Sequence, residues 1–308
     1  MGVEELHAAL GDKALVDEPL SKHTTFQIGG PADLFVVAQT LRELREVVGL
    51  AWKHRVPYLI LGRGANLLVA DKGLRGLVIH NQCGAFAFSE GEDRGAWWVT
   101  SESGADLRAV AHQAVDRGLA GLEWAVDVPG TVGGAVVGNA GAYGGYVADN
   151  LHGVAVLWPE GGESWWPTSE LGLEYRSSIL KQKEKKAGFS PVILSATFAL
   201  RSEDPALVRE RAVNYSQRRA EAQPEGPSAG STFKRTDQYP AAFLIENAGL
   251  KGKRIGGAIV SPKHANFILN EGSATAQDVR ELIDLIRETV LEKFQAALEL
   301  EIELVGEW

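Results

Sequence analysis

Apolar and polar positions along this chain follow two periods, and the changes of period mark its elements. Ala32–Ala38 (ADLFVVA) is a short apolar run rich in β-branched residues and predicts a strand. Over Leu41–His54 the apolar residues Leu41, Leu44, Val47, Val48 and Ala51 recur at helical spacing, which predicts a helix with one buried face. Tyr58–Leu61 predicts the next strand and runs directly into Gly62, so the chain begins as a strand–helix–strand unit. A further short strand fits Leu77–His80.

A second unit begins near residue 81. Ala96–Thr100 predicts a strand and Asp106–Gly118 a helix, capped by Ser103 or Asp106 and stopped by Gly118. Gly153–Trp158 and Val192–Leu200 predict further strands. Ser202-Glu203-Asp204-Pro205 reads as a helix start with proline in the first turn, and that helix runs to about Ala220. In the last third, strands fit Gly257–Val260 and Phe267–Leu269. A long amphipathic helix fits Thr275–Phe294, with Thr275 and Asp278 as a capping box. Val279, Leu282, Ile283, Ile286 and Val290 form its apolar face, and Leu298–Val305 predicts a closing strand. There is no internal repeat. The pattern is α+β or mixed α/β.

Composition narrows the function classes. With 308 residues, 45% of them hydrophobic, the chain has ample material for a core and for two or three domains. A net charge of −9 offers no basic field for nucleic acid. The single cysteine, Cys83, has no internal disulfide partner, no zinc spacing is present, and Cys83 reads as a small buried hydrophobe. The acidic start lacks the apolar core of a signal peptide and no stretch is apolar for 18 residues, so a cytoplasmic protein without a membrane span is expected.

Candidate chemistry gathers in the glycines. Gly62-Arg63-Gly64-Ala65-Asn66-Leu67, Pro129-Gly130-Thr131-Val132-Gly133-Gly134 and Asn139-Ala140-Gly141-Ala142-Tyr143 follow apolar runs. Glycine lets backbone approach a ligand closely, and successive N–H groups make an anion nest. Each loop could equally be a tight turn. Gly62-x-Gly64 lacks the third glycine of the dinucleotide fingerprint, so a Rossmann fold is not indicated. Ser231 lies in Gly230-Ser231-Thr232-Phe233-Lys234, where a serine ordinarily makes local hydrogen bonds, and no G-x-S-x-G elbow supports hydrolysis. Arg176, read alone, is a surface arginine unless it faces a pocket. Glu299, Glu301 and Glu303 alternate on the closing strand and, read alone, are a solvated face. Seven histidines show no metal spacing, and Lys263-His264-Ala265-Asn266 reads as a strand entrance. The pairs Trp97-Trp98 and Trp165-Trp166 read as core and packing residues, with stacking on a flavin ring as the lesser alternative.

Taken in order, these motifs resemble the UDP-N-acetylenolpyruvoylglucosamine reductase (MurB) family of flavoenzymes, in its shorter type II form. The resemblance begins at His23–Asp33 and ends at Leu298–Gly306. It implies an α+β protein: a two-part FAD-binding module of the vanillyl-alcohol-oxidase (PCMH) type, residues 1–80 and 81–204, and a C-terminal α+β substrate-binding domain, residues 205–308. The closing strand is expected to return to the first part. FAD and NADPH are the implied cofactors, with FAD held by Gly62–Leu67, Pro129–Thr131, Gly133, Gly134, Asn139, Gly141, Ala142 and Tyr143. A UDP-sugar is the implied substrate, met by Tyr175, Lys234, Arg235, His264 and Asn266, and a monomer is expected.

The resemblance also implies a mechanism. A hydride passes from flavin N5 to the methylene carbon of the enolpyruvyl group. Ser231 gives a proton to the carbon bearing the carboxylate, and Arg176 and Glu301 sit at that carboxylate. Glu301 can act there only as a donor, so a raised pKa in the complex is expected. Ala65 stands at a usual serine, Asp127 at a usual glycine, Arg235-Thr236 at a usual Asn-Pro, Leu300 at a usual proline and Glu303 at a usual arginine. An FAD-dependent oxidase of the same cofactor fold and a non-catalytic flavin- or nucleotide-binding paralogue are the alternatives. The Ser231 loop speaks against the first, and the presence of all three catalytic positions against the second.

Overall fold

Helix ends in this chain are set by short polar residues. Thr40 accepts from the Glu43 N–H at 3.2 Å while the Glu43 carboxylate takes the Thr40 N–H, a reciprocal cap that opens a helix over Leu41–Lys53. Asp106 caps Leu107–Asp116 one way, its carboxylate accepting from Arg108 N–H at 3.0 Å. Thr275 and Asp278 form the capping box expected at Ala276–Phe294. The computed structural model describes residues 2–159, 162–182 and 190–308.

In chain order the first part holds α1 (Gly2–Leu10), β1 (Ala14–Pro19), β2 (Pro31–Ala38), α2 (Leu41–Lys53), β3 (Tyr58–Leu61), β4 (Leu67–Val69) and β5 (Leu74–Asn81). Then come β6 (Phe86–Glu90), β7 (Ala96–Glu102), α3 (Leu107–Asp116), β8 (Leu119–Ala120), α4 (Val132–Val137), β9 (Gly141–Ala142), β10 (Gly145–Tyr146), α5 (Val147–Asn150), β11 (Leu151–Leu157), β12 (Glu163–Pro167) and β13 (Val192–Ser202). The last part holds α6 (Pro205–Ala222), α7 (Ala241–Asn247), β14 (Arg254–Ile255), β15 (Ala258–Val260), β16 (Ile268–Asn270), α8 (Ala276–Phe294) and β17 (Glu303–Val305). No helix among the described residues is long and apolar enough to cross a membrane.

The chain forms two compact units. The first comprises residues 1–15, 34–62 and 76–219; the second comprises 16–33, 63–75 and 220–308. In the first unit β3 pairs in parallel with β5, Tyr58 opposite Leu77, and the sheet order β1-β2-β5-β3 puts β5 between the two strands of the expected strand–helix–strand unit. An antiparallel sheet ordered β12-β11-β13-β7-β6 carries α3 and α4 on its buried face, around Val99, Val110, Val136, Val154 and Phe198. A separate cluster of Leu34, Val36, Leu44, Val48, Leu77 and Ile79 packs α2 on the parallel strands. Cys83 is fully buried there, and burial pushes its thiol up to about 11, so it stays protonated and inert.

The second unit packs α7 and α8 on β14–β16 around Leu244, Ile245, Val260, Ile283 and Ile286. Thr275→Ala is expected to cost about 1 kcal/mol of stability by urea unfolding, because the N–H of Asp278 loses its acceptor. The N–H groups of Thr275 and Gly257 hold the Asp278 carboxyl below its ordinary 3.8. Its share of stability is therefore present above that pH and lost as pH falls through the lowered folded value.

Two expectations are corrected. The closing strand is confined to Glu303–Val305, paired in parallel with β4. Glu301 and Ile302 both aim their N–H groups at the Thr232 carbonyl (2.9 and 3.5 Å), which bends the chain just before β17. The tryptophan pairs are core only in part, with Trp97 and Trp166 packed against the apolar cluster of the antiparallel sheet. Trp165 is 47% exposed on the edge strand β12, with Trp97, Trp98 and Trp166 half-buried, because strand alternation turns one member of each pair outward.

Candidate active site

In the first unit, β3 delivers Gly62 against the second glycine loop. A Cβ on Gly62 would lie 2.5 Å from Thr131 Oγ1, so only glycine fits. Thr131 caps α4 by accepting from Gly134 N–H at 3.3 Å. Val132 N–H bonds Ala105 and Gly133 N–H bonds Ser103, at 2.9 and 2.8 Å. The N–H groups of Val132, Gly133 and Gly134 are thus committed inside the fold. Those of Gly130 and Thr131 meet no acceptor among the described residues, and Gly130 (φ +149°) has open space where a Cβ would stand. Pro129 precedes them and donates nothing.

Helix α4 leads into the third loop. Asn139, buried at φ +39°, donates to the Glu174 carbonyl at 2.9 Å and accepts from Ala148 N–H at 3.0 Å. That bond ties the loop to the tight turn Glu174–Ser177, whose ends pair with each other. Arg176 occupies this turn at φ +57°, an uncommon conformation for a non-glycine residue. Its Nη2 donates to the Gly141 carbonyl at 3.0 Å, and its guanidinium lies 5.3 Å from the ring centre of Tyr175. Lys181 Nζ donates to the Arg176 carbonyl at 3.2 Å. Gly62, Thr131, the Asn139–Tyr143 loop, Tyr175 and Arg176 are therefore linked within one unit.

In the second unit, Gly64 (φ +60°) presses on His23 and Thr24, and Thr25 Oγ1 reaches both the Gly64 carbonyl (3.3 Å) and the Ser228 carbonyl (2.7 Å). Thr25 thereby joins the first glycine loop to the serine loop. Asn66 Nδ2 donates to the Glu301 carbonyl at 3.1 Å, and Leu67 pairs with Glu303. Ser231 bridges Phe267, Thr232 N–H bonds the Asn266 carbonyl at 2.8 Å, and Phe233 bridges Leu300. Glu301 N–H returns to the Thr232 carbonyl at 2.9 Å, so Ser231 and Glu301 lie on directly bonded segments.

Asn266 spends its side-chain amide on both backbone groups of Phe233, at 2.9 and 2.8 Å, and so fixes the serine loop. Lys234 Nζ pairs with the exposed Glu299 at 3.2 Å, and Arg235 is exposed. His264 is held edge-on to Phe267, accepts from Asn266 N–H through Nδ1 at 3.3 Å, and is kept neutral by burial that lowers its pKa. Thr25 had no sequence signal beyond its place in the His23–Asp33 motif. Tyr215, Arg218 and Arg219, which surround Tyr143 on α6, had none.

Comparison with known proteins places this geometry. Residues 222–305 match the UDP-N-acetylenolpyruvoylglucosamine reductase C-terminal domain family, and residues 32–164 match the FAD binding domain family. The chain is 42% identical over 297 residues to a UDP-N-acetylenolpyruvoylglucosamine reductase of Lachnoclostridium phytofermentans, covering 96% of this chain and 94% of that one. It is 41% identical over 306 residues to the protein of that name from Clostridium novyi, covering 99% and 96%. Among solved structures it is similar to the UDP-N-acetylenolpyruvylglucosamine reductase of Thermus caldophilus, with a TM-score of 0.77 and 33% identity, covering 95% of this chain and all of that one.

Proposed function

The chain belongs to the UDP-N-acetylenolpyruvoylglucosamine reductase family, a flavin- and NADPH-dependent oxidoreductase of peptidoglycan precursor synthesis, and from that premise we propose how its own residues carry the reaction. The residues fit FAD. Gly130 and Thr131 offer N–H groups without an internal acceptor beside the glycine contact at Gly62, a cradle that any Cβ would fill. Bound there, the flavin cofactor would supply the hydride-transfer chemistry that links NADPH to the enolpyruvyl methylene carbon.

The remaining work falls to side chains. Arg176 holds the enolpyruvyl carboxylate and offsets the negative charge that builds on it as the hydride arrives. Ser231 delivers a proton to the carbon bearing that carboxylate, a downhill transfer once enolate character has developed. Glu301 donates a hydrogen bond to the same carboxylate. The observation that carries this reading is the N–H of Glu301 on the Thr232 carbonyl, which keeps acid and donor on bonded segments. Tyr175 and Lys234 flank these groups in sequence and meet the sugar nucleotide with Arg235. Asn266 and His264 act through the loop that they fix.

Residues 1–80, 81–204 and 205–308 act as two cofactor subdomains and a substrate domain in a cytoplasmic monomer. Glu301→Gln is expected to lose about tenfold in kcat, and Glu301→Ala about a hundredfold or more, when Glu301 acts as a donor. Steady-state rates of the two variants test this, and equal losses would assign the role to its charge instead.

A further inference from the structure

We propose that Thr25 is a positioning residue for proton delivery: its hydroxyl, on the Ser228 carbonyl, holds Ser231 in register with the first glycine loop. This deepens the reductase reading and rests on it. Thr25, Gly64, Ser228, Ser231 and Glu301 all lie in the second unit. The Thr25 backbone is itself fixed. Its neighbours Thr24 and Phe26 are buried, Thr24 Oγ1 donates to the Ile28 carbonyl at 3.1 Å, and Asn270 Nδ2 donates to the Phe26 carbonyl at 3.1 Å. From this anchored segment Thr25 Oγ1 reaches the carbonyl of Ser228, 203 positions later, at 2.7 Å. A hydroxyl carries one proton, and the Gly64 carbonyl, 3.3 Å from Oγ1, already accepts from Thr25 N–H at 3.2 Å. The hydroxyl proton therefore belongs to Ser228.

The Ser228 bond acts on the looser side of the serine loop. Downstream the chain is gripped closely: Ser231 bridges Phe267, Thr232 N–H bonds the Asn266 carbonyl, and the Asn266 amide takes both backbone groups of Phe233. Upstream, Gly230 stands at φ +78° with open space where a Cβ would lie, so it offers no steric restraint. Before it the chain is held by Ala229 in the apolar core, by the Thr25 bond to Ser228, and by Asn270 N–H on the Pro227 carbonyl at 3.0 Å. Thr25 also bonds the first glycine loop, which lies so close that a Cβ on Gly64 would stand 2.6 Å from the His23 carbonyl oxygen. The other side of that loop bonds the Glu301 segment, with Asn66 Nδ2 on the Glu301 carbonyl at 3.1 Å and Glu303 N–H on the Asn66 carbonyl at 2.9 Å. Acid and donor are thus registered on one loop, the acid through the Thr25 hydroxyl. A threonine that served stability alone would favour neither half-reaction. A reacting group displaced by about 1 Å loses up to about a hundredfold in rate, so a tether three residues from Ser231 has leverage on its step.

The test compares holoenzyme carrying Thr25→Val, which keeps the shape and removes the hydroxyl, with Thr25→Ser, which keeps the hydroxyl. Rapid mixing reads each half-reaction. Thr25→Val is expected to slow reoxidation by the enolpyruvyl substrate about 10- to 50-fold, with flavin content and reduction by NADPH unchanged, and Thr25→Ser to stay within about threefold of wild type. In a Ser231→Ala background Thr25→Val should cost less than about twofold more, because the group it positions is gone. Amide exchange followed by mass spectrometry reads the loop without turnover: residues 226–234 are expected to exchange about fivefold or more faster in Thr25→Val while α8 is unchanged. Equal slowing of both half-reactions, full additivity with Ser231→Ala, or a serine variant as slow as the valine one would overturn the proposal. So would exchange at 226–234 that is unchanged or that rises equally in α8. If Thr25→Val does not fold, Thr25→Ala is read in its place; failure of both to fold also overturns the proposal, since the hydroxyl then serves the whole unit. A wild type that NADPH bleaches and the enolpyruvyl compound does not reoxidise counts against the reductase reading, and the exchange measurement still decides the role of Thr25.

Discussion

Ser231→Ala is expected to slow reoxidation of the flavin by the enolpyruvyl substrate about 10²- to 10⁴-fold, while reduction by NADPH keeps its rate. The division follows from where the proton is needed. Hydride transfer from NADPH asks nothing of a protein acid, whereas reduction of the enolpyruvyl group leaves a carbon that must be protonated. The substitution is structurally mild, because Ser231 is held through its bridge to Phe267 and by Thr232 on the Asn266 carbonyl, none of which uses the hydroxyl. Rapid mixing of the two half-reactions separately measures the effect. A second half-reaction at the wild-type rate would remove Ser231 from the chemistry.

Arg176→Gln is expected to lower kcat/KM for the enolpyruvyl substrate about 10²- to 10³-fold with full flavin content. The turn Glu174–Ser177 holds this residue at positive φ and bonds it to the Gly141 carbonyl, so its charge is fixed before substrate arrives. A pre-oriented guanidinium need not reorganise as charge develops. Arg176→Lys should recover little, since a single ammonium cannot keep both the Gly141 bond and a bidentate grip on a carboxylate. Steady-state kinetics of both variants measure this, and a lysine variant near wild type would reduce the role to net charge.

The sequence made some of this legible and hid the rest for identifiable reasons. Helices α2 and α8 announced themselves because Val47 and Val48, or Ile283 and Ile286, fall on one face at helical spacing. Helix α4 was not visible. Its six residues include two glycines, and what makes it helical is tertiary, with Thr131 as its cap and Gly133 pressed on Ser103. The closing strand was overread because Leu298, Leu300, Ile302 and Leu304 alternate correctly, yet the Thr232 carbonyl captures two N–H groups and bends the chain.

The site was legible only as an ordered set of motifs. Ser231, Arg176 and Glu301 are separately unremarkable, and no local pattern brings Glu301 to the serine loop. The pairing of Phe233 with Leu300, 67 positions later, does so.

The measurement to make first is anaerobic rapid mixing of the wild-type holoenzyme with NADPH and then with UDP-N-acetylglucosamine enolpyruvate, following the visible absorbance of oxidised flavin. Bleaching by NADPH and full recovery on adding the enolpyruvyl substrate without oxygen is the predicted result. A flavin that bleaches and recovers only when oxygen is admitted would contradict it.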